Sequence, residues 1–207
     1  MSGNHEKIQM DPKYIATLTV RLFGTCLVVA LLLGLVNMVT LPNITARKKA
    51  ATETALKAVV ENPDAIEFSD ELELSDELTG AAANVGATLS TLNGITEGGA
   101  PAGYAVTVVT SGSQGSIEMI VGLDENDVVT GVSIVSNSET PGIGSKVMSN
   151  EPTASGTPVL DQFTGKTPAD GTLTVGSNID AISGATVSTR GVTAGVNAAL
   201  AVGAILD

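Results

Sequence analysis

The chain has 207 residues, enough for one ordinary domain plus an anchor or tail, and 22 carboxylates outweigh its ten Lys and Arg to leave a formal net charge of −12. A single cysteine, Cys26, and a single histidine, His5, exclude a disulfide framework, a cysteine-ligated iron–sulfur cluster within one chain, a histidine-based zinc site and a Ser-His-Asp triad. With no Trp, two Tyr and three Phe, any core must come mostly from Val, Ile, Leu and Ala.

Charge is unevenly placed. Seven of the ten basic residues precede residue 58, and beyond it 19 carboxylates face only Lys146, Lys166 and Arg190. Such a surface repels nucleic acid and anionic lipid headgroups, so nucleic acid is not expected as a partner.

In chain order, residues 1–21 read as an N-terminal tail, polar as far as Lys13. Leu22 to Leu41 is a run of 20 residues without a charge. At ~1.5 Å per residue it spans ~30 Å, the thickness of a bilayer core, so residues 22–41 are read as a single transmembrane helix. A cleavable signal peptide has a shorter apolar region and a small-x-small cleavage site, whereas Pro42-Asn43-Ile44-Thr45 follows here. Cys26, inside the apolar run, reads as a buried small hydrophobe. Lys7, Lys13 and Arg21 on one side balance Arg47, Lys48 and Lys49 on the other, so the positive-inside rule leaves orientation open.

Residues 42–79 read as a linker. Ala46 to Val60 forms a spacer helix with Glu53 four residues before Lys57, and an acidic, partly packed face covers Glu61 to Glu77. No D-x-D-x-D-G pattern marks a calcium site there. Residues 80–207 form the main domain. Gly80 to Ala102 reads as loops around one short strand. Tyr104–Val109, Ser116–Leu123 and Val128–Val135 alternate as three strands of an antiparallel meander, joined by turns at Ser111–Gly115 and Asp124–Asp127.

A Glu139-Thr140-Pro141-Gly142-Ile143-Gly144 turn follows, whose glycines allow close backbone approach to a ligand. It has one residue between its glycines, where a phosphate loop needs four. Phe163, in Asp161-Gln162-Phe163-Thr164-Gly165-Lys166, reads as core, with contact to a cofactor as the alternative. Gly171–Val175 is expected to be a final short strand. Asp180-Ala181-Ile182-Ser183-Gly184-Ala185-Thr186 then opens an amphipathic helix, with Val192, Val196, Ala199, Gly203 and Leu206 spaced by fours and threes and Leu200 alongside. Ser183 or Thr186 at this position suits an N-cap. A threonine at a helix mouth also stands where free N–H groups favour an anion such as phosphate.

The string from Asp180 to Thr186 resembles the flavinylation motif of the FMN-binding domain family, Asp-x-x-Ser/Thr-Gly-Ala-Thr, matched by Asp180, Ser183, Gly184, Ala185 and Thr186. Gly86-Ala87-Thr88 repeats its core, but Val85 and Ala82 stand where Ser183 and Asp180 would be, so Thr88 is read as a decoy. Together with the E-T-P-G-I-G turn and the order of elements, the chain resembles the G component of Rnf electron transport complexes and the related C component of the sodium-pumping NADH:quinone reductase. Chain length and the segment 161–165 favour the Rnf G component. In these relatives a histidine commonly stands where Asn137 is here.

The resemblance implies an α+β fold: one transmembrane helix, then an FMN-binding domain with an antiparallel sheet flanked by helices. It implies FMN joined to Thr186 by a phosphoester, attached by a separate flavin transferase that uses FAD and a divalent metal. Asp180 would serve recognition or metal binding in that transfer, or else cap or turn the chain. Glu139, Thr140, Gly142, Ile143 and Gly144 would lie against the flavin. At least one late cation is expected near its phosphate, Lys166 among them, against the alternative that all three are merely dispersed. No catalytic residue or resident metal is expected. The chain would relay electrons to other subunits of a ferredoxin:NAD⁺ oxidoreductase that moves Na⁺ or H⁺, with the flavin domain on the outer face of the cytoplasmic membrane. A rival of another class is a tethered acidic binding module without cofactor.

Overall fold

The computed structural model describes residues 12–60, 63 and 65–206; the first part of the expected N-terminal tail lies outside them. The chain divides into two compact units, residues 1–48 and residues 49–207.

The first unit carries most of α1, a helix from Pro12 to Ala58 that is long and apolar enough to cross a membrane. Its leucines and valines between Leu22 and Leu41 are exposed, and exposed apolar side chains at this density belong in lipid rather than water. The sequence places a helix boundary at Pro42. Instead the helix continues through it, although a proline removes one backbone bond. The carbonyl left without its donor is that of Met38, one turn before Pro42, while Thr45 Oγ1 lies 3.1 Å from the Leu41 carbonyl and 3.0 Å from that of Pro42. In a lipid setting such hydroxyls help satisfy carbonyls around a proline.

The second unit is built on a five-stranded antiparallel sheet in strict sequence order, β1 (Ile66–Glu71), β2 (Ala87–Glu97), β3 (Ala100–Ser111), β4 (Ser116–Asp124) and β5 (Val129–Asn137). Side chains alternate between faces. Ile117, Met119, Val121 and Leu123 of β4 join Val106 and Val108 of β3 against α4 (Thr186–Leu206). Val192, Val196 and Ala199 of α4 are fully buried in that layer, as their spacing predicts. Each buried valine contributes roughly 1.5–3 kcal/mol by area. Gly191 and Gly195 bring the helix close: a Cβ at Gly195 would meet Met119 Sδ at 2.6 Å, and one at Gly191 the Ser111 carbonyl at 2.6 Å. On the opposite face Ala55 and Val59, at the end of α1, pack on Ala105 and Ile120, and Thr130 Oγ1 donates to the Val59 carbonyl at 2.5 Å.

The three expected strands are present and longer than predicted. The one short strand expected within Gly80–Ala102 is present as the longer β2, while β1 arises in the segment read as an acidic, partly packed face, with the short helix α2 (Asp76–Asn84) between them. The register of β2 shifts between Leu89 and Thr91, so its buried Leu89 and Leu92 lie three apart and the alternation breaks. Strand β1 is an edge, where exposed carboxylates are ordinary. The strand expected over Gly171–Val175 is not formed. The Asn197 side chain takes the place of a neighbouring strand, accepting from Leu173 N–H and donating to its carbonyl, both at 2.9 Å. Phe163 is fully buried in the core, which excludes surface contact with a cofactor.

Candidate functional site

Two similar turns build the site. Ala185 N–H donates to the Ile182 carbonyl at 2.9 Å, with Gly184 at φ 81° in the third position. Ile143 N–H donates to the Thr140 carbonyl at 3.2 Å, with Gly142 at φ 78° in the same place. A positive φ at the third position is what a type II turn requires, and glycine adopts it without steric cost. The first turn ends where α4 begins. The second leads into a short helical turn, α3 (Ser145–Met148), and the Gly142 N–H reaches Ser145 Oγ at 2.7 Å.

Thr186 is the first residue of α4 and is half-buried. The first helical bond runs from Thr189 N–H to the Ala185 carbonyl at 3.0 Å, so Ala185 holds the cap position. Neither Ser183 nor Thr186 is the cap. Ser183 is exposed, and among the described residues no hydrogen bond engages the Thr186 hydroxyl. Free N–H groups of the first turn are therefore left beside a free hydroxyl.

Glu139 joins the two turns. Its side chain is buried. One carboxylate oxygen accepts from Ser113 N–H at 2.7 Å and Gln114 N–H at 3.3 Å in the β3–β4 turn, and the other from Ser188 Oγ at 2.6 Å on α4. A buried charge is tolerated when hydrogen-bonded in this way. Gly112 and Gly144 make the room: a Cβ at either would lie 2.0 Å and 1.9 Å, respectively, from a Glu139 oxygen. Of the two loop glycines, Gly144 thus approaches Glu139, while Gly142 faces open space. Asn137 Oδ1 accepts from Glu139 N–H at 3.1 Å, shaping the entry to the loop.

Ser183, Gly184 and Ala185 form the turn directly before Thr186, and the loop of Glu139, Thr140, Gly142, Ile143 and Gly144 meets the first turn of α4 at Ser188. Gly144 and Ser188 are the point of contact. Ile143 and Val187 flank this junction and are 53% and 50% exposed, an apolar pair on an otherwise acidic surface. Asp180 is held by its backbone, not its carboxylate: its N–H donates to Gln162 Oε1 at 2.8 Å and its carbonyl accepts from Gln162 Nε2 at 3.1 Å. The carboxylate is exposed.

Lys166 stands apart. Its carbonyl accepts from Val129 N–H at 2.8 Å, at the sheet end where Gly203 of α4 approaches Leu123 and Asp127. Seventeen residues of helix, ~26 Å, separate that end from Thr186. Lys166 instead neighbours Asp170, whose carboxyl is held below its usual value chiefly by the Thr167 backbone N–H, then the Thr167 hydroxyl, with a smaller share from Lys166. Thr88 lies exposed on β2, away from any helix start.

Ser188, Gln162 and the turn amides of Ser113 and Gln114 are not legible as site residues in the sequence. Ser188 is the most accessible of them to such reasoning, two positions after the candidate threonine and so on the opposite side of the helix.

Residues 112–201, which hold both turns and the whole Glu139 network, match the FMN-binding domain family. The chain is 34% identical over 210 aligned residues, 95% of each chain, to the G component of the Na⁺-translocating ferredoxin:NAD⁺ oxidoreductase complex of Acetobacterium woodii. It is 28% identical to the proton-translocating counterpart of Clostridium ljungdahlii over 92% of both chains. The G component of an ion-translocating oxidoreductase complex of Methanosarcina acetivorans is 33% identical over 52% of this chain and 54% of its own. At 34% identity over 95% of both chains, and with the FMN-binding domain over residues 112–201, the chain belongs to the family of G components of ion-translocating ferredoxin:NAD⁺ oxidoreductase complexes.

Proposed function

We propose that this chain is a membrane-anchored electron relay whose FMN is esterified through its phosphate to Thr186. The observation that carries this reading is the Thr186 hydroxyl: free of internal hydrogen bonds among the described residues and placed at the start of a 21-residue helix. The residues present fit the group. The unpaired N–H groups of the first turn suit a phosphate, and exposed Ile143 and Val187 suit the face of an apolar ring.

In attachment, Thr186 Oγ attacks the phosphorus of the FMN half of FAD. A new P–O bond forms, the pyrophosphate bond breaks, and AMP leaves. The hydroxyl proton would go to a base supplied by the transferase. Gly184 holds the turn that lifts Thr186 toward that enzyme, and Asp180, with its carboxylate exposed, is available for its recognition or its metal. Once bound, the flavin supplies one- and two-electron transfer. The chain's own part is to position the attachment point through Glu139 and Ser188. Partners are the other membrane subunits of the complex, with the domain on the outer face of the membrane. The relatives carry both sodium- and proton-translocating names, so the likeness does not choose the ion.

The test is co-expression with a flavin transferase, followed by a denaturing gel viewed under ultraviolet light and mass spectrometry of the peptide holding residue 186. Fluorescence that survives denaturation in wild type and in Thr88→Ala but vanishes in Thr186→Ala is the expected result. A colourless wild type would favour the tethered acidic binding module instead.

A further inference from the structure

Gln162 stands on a short helical turn, Asp161–Phe163, that is itself firmly held. Phe163 is fully buried, and the Asn150 side chain accepts from Leu160 N–H at 2.7 Å and donates to Asp161 Oδ1 at 2.8 Å. From this base the Gln162 amide reaches the backbone of Asp180, where Oε1 accepts the N–H at 2.8 Å and Nε2 donates to the carbonyl at 3.1 Å. Nε2 also lies 3.3 Å from the Val159 carbonyl, which helps orient the amide. One side chain thus engages both hydrogen-bonding groups of a single backbone residue, as a neighbouring strand would.

The segment that follows is held along its length. Ile179, just before it, is buried, and its N–H donates to the Thr174 carbonyl at 3.3 Å. Ile182 and Ala185 are buried, whereas Asp180, Ser183 and Gly184 are exposed and Thr186 is half-buried. Ser188, just beyond, is tied to Glu139. The residues left facing outward are therefore those of the attachment motif, apart from Ala185. Among the described residues no hydrogen bond engages the Asp180 carboxylate. Gln162 grips the backbone and leaves that carboxylate free.

We infer that Gln162 is a positioning residue for flavin attachment, holding Asp180 so that its carboxylate, Ser183 and Thr186 meet the transferase as one preformed surface. The inference rests on the proposed attachment at Thr186, and the bonds made and broken in that step stay as given above. Ordering a loose backbone opposes docking, and a segment that is already held avoids that cost. Thr186 is fixed separately, through the Glu139–Ser188 bond two residues on. Gln162 therefore acts on the encounter with the transferase: its loss raises KM for the acceptor chain and leaves kcat in place.

The experiment uses the full chain in detergent, made without a transferase, and follows attachment by a purified flavin transferase with FAD and Mg²⁺. Initial rates are read against chain concentration by in-gel fluorescence. Gln162→Met keeps the length of the side chain and removes both bonds to Asp180. KM should rise roughly 5- to 20-fold with kcat within a factor of about two, and exchange of the Asp180 amide should quicken by a factor similar to the rise in KM. In an Asp180→Asn background the same change should raise KM by less than about twofold, because the carboxylate it positions is gone. Thr130→Val removes a bond on the opposite face of the sheet, controls for lost stability, and should keep the wild-type KM. A wild type with no flavin on residue 186 by mass spectrometry refutes the attachment itself, and the inference falls with its premise. Where the wild type is loaded, a wild-type KM in Gln162→Met overturns the inference alone. So does a fall in kcat in its place, an equal rise in the Asp180→Asn background, or a matching rise in Thr130→Val.

Discussion

Replacing Glu139 with alanine removes the acceptor for three donors at once. Ser113 N–H at 2.7 Å and Ser188 Oγ at 2.6 Å make the two short bonds, and Gln114 N–H at 3.3 Å a weaker one. Bonds to a charged group contribute ~1.5–3 kcal/mol each, while the exposed turn amides recover part of that from water and Ser188 can turn to a carbonyl of its own helix. A net cost of ~2–4 kcal/mol to the junction of the three segments follows, because the truncated side chain also leaves a void between Gly112 and Gly144. Glu139→Gln keeps the shape and should cost ~1 kcal/mol. The assay is amide hydrogen exchange of the full chain, read on peptides covering residues 111–116, 139–148 and 186–190. Protection there should fall ~30- to 700-fold in Glu139→Ala while the β2–β3 pairing keeps its protection. A double-mutant cycle with Ser188→Ala should give a coupling of ~1.5–3 kcal/mol. Protection of all three peptides within a factor of about two of wild type would refute the claim that the buried carboxylate holds loop, turn and helix together.

At Gly103 φ is 136° and a Cβ would lie 2.0 Å from the Leu123 carbonyl oxygen, so Gly103→Ala collides with backbone in the sheet centre. A loss of ~3 kcal/mol or more is expected, lowering the melting temperature of the second unit by roughly 6–12 °C in calorimetry of the full chain. Asn197→Ala strips Leu173 of both its partners and should cost ~2 kcal/mol, seen as faster exchange of the Leu173 amide. Asp170 has a lowered folded-state pKa, so it stabilises the fold above its unfolded value, and that contribution fades as pH falls through the folded value. Melting temperatures of wild type and Asp170→Asn should accordingly differ near neutrality and converge in acid; an unchanging gap from neutral pH to strongly acid pH would contradict this.

Much of the fold could be read from the chain because its strongest signals are periodic and local. The valines and alanines of α4 recur at helical steps, and β4 has an apolar residue at every second position from Ile117 to Leu123. What escaped was set by tertiary context. In β2 a bulge displaces the alternation between Leu89 and Thr91, so the residues that fill the core do not look like one face. In β1 the carboxylates, read as an acidic and partly packed face, belong to the edge strand of the sheet. Pro42 reads as a boundary, yet the helix runs through it. At the site, the residues around the candidate hydroxyl are visible as a motif, whereas the group that orients them is not. Glu139 reads as a cofactor contact, but its carboxylate turns inward, to partners 25, 26 and 49 positions away. No spacing rule reports a bond between residues so far apart. Lys166 shows the converse: adjacency to a recognisable segment says nothing about which end of the sheet that segment reaches.

The strands pair strictly with their chain neighbours, so each can dock as soon as it has been synthesised, whereas the helix that covers their apolar side comes after all of them. A nascent polypeptide halted before residue 186 would present a greasy, uncovered sheet and have nothing to which a prosthetic group could be joined. On the chemistry proposed above, colour is then a certificate of completion: only molecules that have closed their own interior can be charged, and unfinished ones are left for proteases to clear.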